Sequence, residues 1–136
     1  MCGFIGVASR KDINNTFIED ADKFLICRGP DDQKWSKNSL DNCKTLFSFH
    51  RLSIIDLSSE ASQPMSSEKY NTEILFNGEI YNHIELRKEM ELSGIKFSTS
   101  HSDTETLLLG LSEYGNKFIE KLDGQFSVVL LNKNNN

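Results

Sequence analysis

The chain has 136 residues, a net charge of −5 and a hydrophobic content of 38%, with nine Phe. A chain of about this length forms one domain and buries roughly two-thirds of its surface, and an acidic balance without a Lys/Arg cluster argues against a general nucleic-acid partner. No apolar run reaches the length of a membrane span, and no charged start followed by an apolar stretch marks a signal peptide, so the expected location is the cytoplasm. The cysteines Cys2, Cys27 and Cys43 are odd in number and lack metal-ligand spacing, and His50, His83 and His101 are scattered. That pattern fits a reducing compartment and argues against zinc.

Cys2 directly follows Met1. A small residue there favours removal of Met1, which would put a thiol and a free α-amine on one residue. A thiol attacks carbonyls as its thiolate and titrates near ~8.5 when free. An unperturbed α-amine titrates near ~7.7–8.0, so at neutral pH part of it is neutral and able to take the thiol proton. Alone, the placement of Cys2 is weak evidence, because chance also puts Cys at position 2.

Residues 2–8 (CGFIGVA) read as a short apolar strand in which Gly3 and Gly6 suggest close backbone approach. Residues 16–26 predict an amphipathic helix with Phe17, Ala21 and Phe24 on one stripe and Ile18 and Leu25 beside it. It must stop before Arg28-Gly29-Pro30-Asp31-Asp32, because a proline pushes the residue before it out of helical geometry. Residues 45–56 (TLFSFHRLSIID) read as extended chain, a polar loop runs through Gln63-Pro64, and 72–76 (TEILF) is another strand. Asn82 with Glu85, and Ser102 with Glu105, have the spacing of capping boxes that open two helices. The second of these carries Leu107, Leu108, Leu111 and Tyr114 and ends at Gly115. After the Asp123-Gly124 turn, 125–131 (QFSVVLL) is apolar on both faces, as expected of a strand buried between layers with partners on both sides. The chain closes with a polar stretch, 132–136. Strands separated by helices give an α+β or α/β architecture with helix-covered sheets.

Three further features carry chemistry. In Phe76-Asn77-Gly78-Glu79, at a strand end, the Asn side chain and the Gly N–H are two donors that can face one developing oxyanion. An ordinary Asn-Gly turn is the competing reading. Arg51 stands in a largely apolar strand, where a guanidinium needs a specific anion or an exit to solvent, and its planar fork suits a carboxylate. Asp103 sits at a helix start, where a capping carboxylate is the usual explanation. The alternative is that Asp103 accepts from a substrate ammonium, with Glu79 sharing that role.

Taken together, Met1-Cys2-Gly3, Arg28-Gly29-Pro30-Asp31-Asp32, Arg51-Leu52-Ser53-Ile54-Ile55-Asp56-Leu57, Gln63-Pro64-Met65, Phe76-Asn77-Gly78-Glu79-Ile80-Tyr81-Asn82, Ser102-Asp103-Thr104-Glu105 and Leu122-Asp123-Gly124-Gln125-Phe126 resemble the class II glutamine amidotransferase domain. The nearest likeness is to the N-terminal glutaminase half of asparagine synthetases. Seven blocks in the right order cover nearly the whole chain.

The resemblance implies an N-terminal-nucleophile hydrolase fold of α+β class, a four-layer αββα sandwich, here lacking its C-terminal strands. Residues 1–131 would be the amidotransferase domain and 132–136 a polar tail. It implies that Cys2 is the nucleophile and its α-amine the base, and that Asn77 and Gly78 form the oxyanion hole. It also implies that Arg51 binds the glutamine α-carboxylate beside the backbone of Leu52, Ser53, Ile54 and Ile55, and that Glu79 and Asp103 hold the α-ammonium. The Arg28–Asp31 loop supports the site. The implied reaction is attack on the side-chain amide of L-glutamine, a γ-glutamyl thioester, release of ammonia, and hydrolysis to glutamate. One Arg and two acids complement the two charges of free glutamine, and such a site rejects amides lacking either charge.

Two departures qualify the likeness. Family members often carry His-x-Arg where this chain has Phe49-His50-Arg51, so His50 receives no catalytic role. The family chain continues into further strands and an ATP-dependent synthetase domain with a Ser-Gly-Gly loop, none of which is present here. No cofactor is expected in this chain, ATP and Mg being expected only on that synthetase domain. An ammonia-accepting synthetase domain or subunit is the expected partner, and homo-oligomerisation stays open. The ammonia acceptor stays open too, aspartate being the family default and a sugar or another carboxylate the alternative. Two other functions compete. One is an inactive remnant serving as an interaction or regulatory module. The other is an N-terminal-cysteine amidase for a larger substrate, against which the pairing of Arg51 with Asp103 speaks.

Overall fold

The computed structural model describes residues 2–53 and 62–134, and among these the fold is two three-stranded sheets stacked face to face with helices outside. Strand β1 (Gly3–Ser9) is followed by helix α1 (Asn15–Leu25), β2 (Asp32–Ser39) and β3 (Lys44–Arg51). The second half contains β4 (Met65–Ser67), β5 (Thr72–Ile80), α2 (His83–Leu92), α3 (Asp103–Tyr114), a 3₁₀ helix (Gly115–Lys121) and β6 (Gly124–Asn132). The first sheet has the order β1-β3-β2 and the second β4-β5-β6, with every pairing antiparallel. This is the α+β sandwich expected from the sequence.

Period-two alternation along the central strands assigns the layers. In β3, Phe47 and Phe49 meet Leu75 of β5 between the sheets, with Cys2, Phe4, Val129 and Leu131 packed around them. The alternate residues Ser48 and His50 face α1, where Asp22 accepts from Ser48 Oγ at 2.6 Å and lies 3.1 Å from His50 Nε2. In β5, Ile74, Phe76 and Ile80 pack instead against Leu86 and Met90 of α2 and Leu107, Leu108 and Leu111 of α3. Both faces of β3 and β5 are therefore covered: β5 reads as an apolar run only over Ile74–Phe76, and β3 sets Phe47 and Phe49 against the second sheet and the hydrogen-bonded Ser48 and His50 against α1.

Several local expectations change. The 45–56 extended stretch ends as a strand at Arg51, and residues 54–61 lie outside the described residues. Strand β2 is strongly polar (DQKWSKNS) and gives no period-two apolar signal, because it forms an edge of the first sheet. In α1 the buried positions are Ile18 and Asp22, while Phe24 is 79% exposed; the side chain of Phe17 lies outside the description. Asn82 makes no side-chain cap for α2 and instead bridges to Lys121 O (2.8 Å) and to the Asp123 N–H (3.0 Å). Strand β6 pairs with β5 alone among the described residues and none of its residues is fully buried, so it is an edge of its sheet and not a central strand. Beyond it, Lys133 Nζ reaches the buried Glu73 at 2.8 Å, and Asn134 Nδ2 donates to Tyr70 O at 2.8 Å. No helix among the described residues is long and apolar enough to cross a membrane.

Candidate active site

One half of the site is built on the first sheet. Cys2 stands at the start of β1, and its Sγ accepts from the Leu52 N–H at 3.2 Å and lies 3.5 Å from the Leu52 carbonyl. The Arg28–Asp31 loop fastens this corner. Arg28 Nε donates to Cys2 O at 3.2 Å, the Asp31 N–H donates to Arg51 O at 3.0 Å, and Asp31 Oδ2 accepts from the Ser53 N–H at 2.8 Å. Gly29 is required for this approach, because a Cβ there would lie 2.3 Å from the His50 backbone carbonyl.

Arg51 ends β3 on the same face as Phe47 and Phe49, opposite to His50, and is buried. Its Nη1 donates to Ser62 Oγ at 3.2 Å, and that hydroxyl donates to Asp32 Oδ2 at 2.7 Å. Leu52 and Ser53 follow directly, both half-buried, while Ile54 and Ile55 lie outside the described residues.

The other half is the end of β5. Strand β4 pairs with Thr72, Glu73 and Ile74, so among the described residues the remainder of β5 on that side has no strand beside it. Two side chains serve this open edge in place of a strand. Gln63 accepts from the Phe76 N–H at 2.6 Å and donates from Nε2 to Phe76 O at 3.1 Å, and Asp103 Oδ2 accepts from the Ile80 N–H at 3.4 Å. Amides two residues apart on a strand point the same way. The Gly78 N–H is therefore directed to this edge, between Gln63 and Asp103. The opposite edge is taken by β6, with the Tyr81 N–H donating to Asp123 O at 2.7 Å in continuation of that pairing. Gly78 also packs so closely on β6 that a Cβ would sit 2.2 Å from Gln125 O.

Asn77, half-buried, follows Leu75 on the inter-sheet face by the same alternation, and the exposed Glu79 comes next on that face. Asp103 is the first residue of α3, but the cap is Ser102, whose Oγ accepts from the Glu105 N–H at 3.2 Å. Asp103 is thus released from capping, contrary to the usual explanation for a carboxylate at a helix start. It is 6% exposed. Burial pushes its pKa up and the nearby Glu79 adds to this, against the opposing pull of the Ile80 N–H, His83 and the Thr104 N–H. A buried carboxyl held above its ordinary range beside a second acid is a site that a cation would relieve.

The structure thus brings Cys2, Leu52 and Ser53 together on one sheet and Asn77, Gly78, Glu79 and Asp103 at one end of the other. Ser62 and Gln63 lie between them, and their part could not be read from residue type. Gln63 was singled out only as part of the Gln63-Pro64-Met65 block, and Ser62 by no sequence signal. Among the described residues no cluster of three or more His, Cys, Asp or Glu could hold a metal ion.

A family model described as a glutamine amidotransferase domain matches residues 1–136. Glutamine-hydrolysing asparagine synthetase 1 of Bacillus subtilis (strain 168) is 40% identical over 139 residues, covering 98% of this chain and 21% of that protein. The glutamine-hydrolysing asparagine synthetase of Sandersonia aurantiaca is 40% identical over 140 residues, covering all of this chain and 25% of its own length. The chain therefore spans about a fifth to a quarter of these relatives. In fold it is similar to the glutamine phosphoribosylpyrophosphate amidotransferase of B. subtilis, solved with ADP and GMP, with a TM-score of 0.52 at 22% identity over 65% of this chain and 21% of that one.

Proposed function

Because the chain belongs to the glutamine amidotransferase domain family, we propose that it is the glutaminase part of an asparagine-synthetase-like enzyme and hydrolyses the side-chain amide of L-glutamine at Cys2. The observation that carries this reading is the direction of the Gly78 N–H, aimed by strand alternation at an open edge bounded by Gln63 and the buried Asp103. A backbone donor so placed, beside an Asn amide, is what an oxyanion needs.

The chemistry follows from the residue types. With Met1 removed, the α-amine of Cys2 takes the thiol proton and the sulfur attacks the amide carbon of glutamine. The negative charge that develops on oxygen is met by Asn77 Nδ2 and the Gly78 N–H. The ammonium formed at the α-amine returns its proton to the leaving nitrogen, which departs as ammonia. Water then cleaves the thioester, activated by the same amine, to give glutamate. Arg51 pairs the substrate α-carboxylate, next to the Leu52–Ile55 backbone, and Asp103 and Glu79 pair its α-ammonium. This half-reaction calls on no cofactor. ATP and Mg would serve a synthetase domain or subunit that uses the ammonia, with aspartate or another carboxylate or sugar as acceptor.

The test is to incubate the protein with glutamine and follow glutamate and ammonia together, with Cys2→Ala in parallel and the intact mass recorded. Turnover that is lost in Cys2→Ala, in a protein lacking Met1, is the expected result. Turnover that survives in Cys2→Ala would sink the mechanism, and a retained Met1 would remove its base. A folded protein without turnover would favour the interaction or regulatory module.

A further inference from the structure

Ser62 and Gln63 are adjacent, yet their side chains serve opposite sheets. Ser62 Oγ accepts from Arg51 Nη1 at 3.2 Å, on the first sheet. Gln63 is buried and forms a reciprocal pair with the Phe76 backbone, 2.6 Å to its N–H and 3.1 Å to its carbonyl, on the second. The same Gln63 Nε2 lies 3.3 Å from Thr104 Oγ1, the residue after Asp103. One amide therefore ties the strand that carries Asn77 and Gly78 to the first turn of the helix that carries Asp103.

We propose that Gln63 is a positioning residue for glutamine hydrolysis, a clamp that sets the Gly78 N–H and the Asp103 carboxylate relative to each other, with Ser62 holding Arg51 to the same short segment. This rests on the reading of Asn77-Gly78 as an oxyanion hole and Asp103 as an ammonium partner. Among the described residues Phe76 has no strand opposite it on this edge, and Gln63 supplies both hydrogen bonds that a neighbouring strand would supply. Without them β6 is, among the described residues, the one strand that holds the β5 end. A donor misplaced by about 1 Å costs on the order of 10²-fold in rate.

The experiment uses Gln63→Met, which keeps the length of the side chain but none of its hydrogen bonds, and Gln63→Glu, which keeps the acceptor for the Phe76 N–H but loses the donor to Phe76 O. Steady-state glutamine hydrolysis and backbone amide exchange are measured on both and on the unaltered protein. We expect kcat to fall about 10²-fold in Gln63→Met and by a smaller factor in Gln63→Glu. We also expect Ser62→Ala to raise KM with kcat within about twofold, because it loosens the carboxylate partner and leaves the oxyanion donors alone. Exchange should quicken together at Phe76 and at Glu105 and Thr106 in α3. If Gln63→Met does not fold, Gln63→Glu carries the same comparison. A folded Gln63 variant with unchanged kcat overturns the proposal. If the unaltered protein does not hydrolyse glutamine, the functional reading fails by itself. The clamp is then judged by exchange alone, where quickening confined to Phe76 overturns it.

Discussion

The carboxylate of Asp103 accepts from the backbone N–H of Ile80 at 3.4 Å, which fixes the start of α3 to the end of β5 across 23 residues of sequence. Since Ser102 already caps the helix, the burial of Asp103 is not explained by helix formation.

Burial holds the folded-state pKa of Asp103 above its ordinary value. Between the unfolded and folded pKa values the native protein binds more protons, so stability falls as pH rises through that window. Asp103→Asn keeps an acceptor for the Ile80 N–H and removes the buried charge. Melting temperatures across pH should show the variant gaining on the unaltered protein as pH rises from the ordinary carboxylate range toward neutrality. A constant difference would count against a raised pKa.

The same substitution should weaken glutamine binding. A charged hydrogen-bond partner contributes about 1.5–3 kcal/mol, or roughly 10- to 100-fold in affinity. Because a bound ammonium favours the ionised carboxylate, affinity in the unaltered protein should drop as pH falls through the raised pKa of Asp103. That inflection should be missing in Asp103→Asn. Calorimetric titration with glutamine on Cys2→Ala protein, in both Asp103 backgrounds, reads this directly.

Glu73 is 2% exposed and meets Lys133 Nζ and Asn38 Nδ2, each at 2.8 Å. Removing one partner of a buried pair leaves an uncompensated charge and costs about 3–5 kcal/mol. Denaturant unfolding of Lys133→Ala should show a loss of that order. The double change Glu73→Met with Lys133→Met should recover most of it, since replacing both partners leaves no buried charge.

Gly29→Ala would drive a Cβ into the His50 backbone and lift the loop that places Asp31 against Arg51 and Ser53. Overpacking of this kind costs typically about 1–3 kcal/mol. The expected result is lowered stability together with a raised KM for glutamine, as the Arg51–Ser53 segment loses its support. A fall in stability with KM unchanged would separate the loop from the site.

Most of the fold was legible in local pattern. The apolar stretches around Phe47, Phe49, Ile74 and Leu75 and the Ser102 cap fall where periodicity and capping chemistry put them, because those signals act between near neighbours, whereas Gly124 opens β6 directly and does not form a turn with Asp123. Strand β2 and the true face of α1 were not legible. Strand β2 is polar along its length, and α1 exposes Phe24 while burying Asp22, which Ser48, His50 and Gln33 meet from β3 and β2.

The candidate site divides in the same way. Cys2, Arg51, Asn77, Gly78, Glu79 and Asp103 could be named as candidates from the sequence, through residue types suited to the chemistry and the likeness of seven motif blocks to the amidotransferase domain. What only the tertiary structure decided is how they are held: Cys2 against Leu52, Arg51 on Ser62, and the Gly78 N–H on an edge served by Gln63 and Asp103. Those contacts depend on where β4 stops and on which way each strand's amides point, and residue type alone specifies neither.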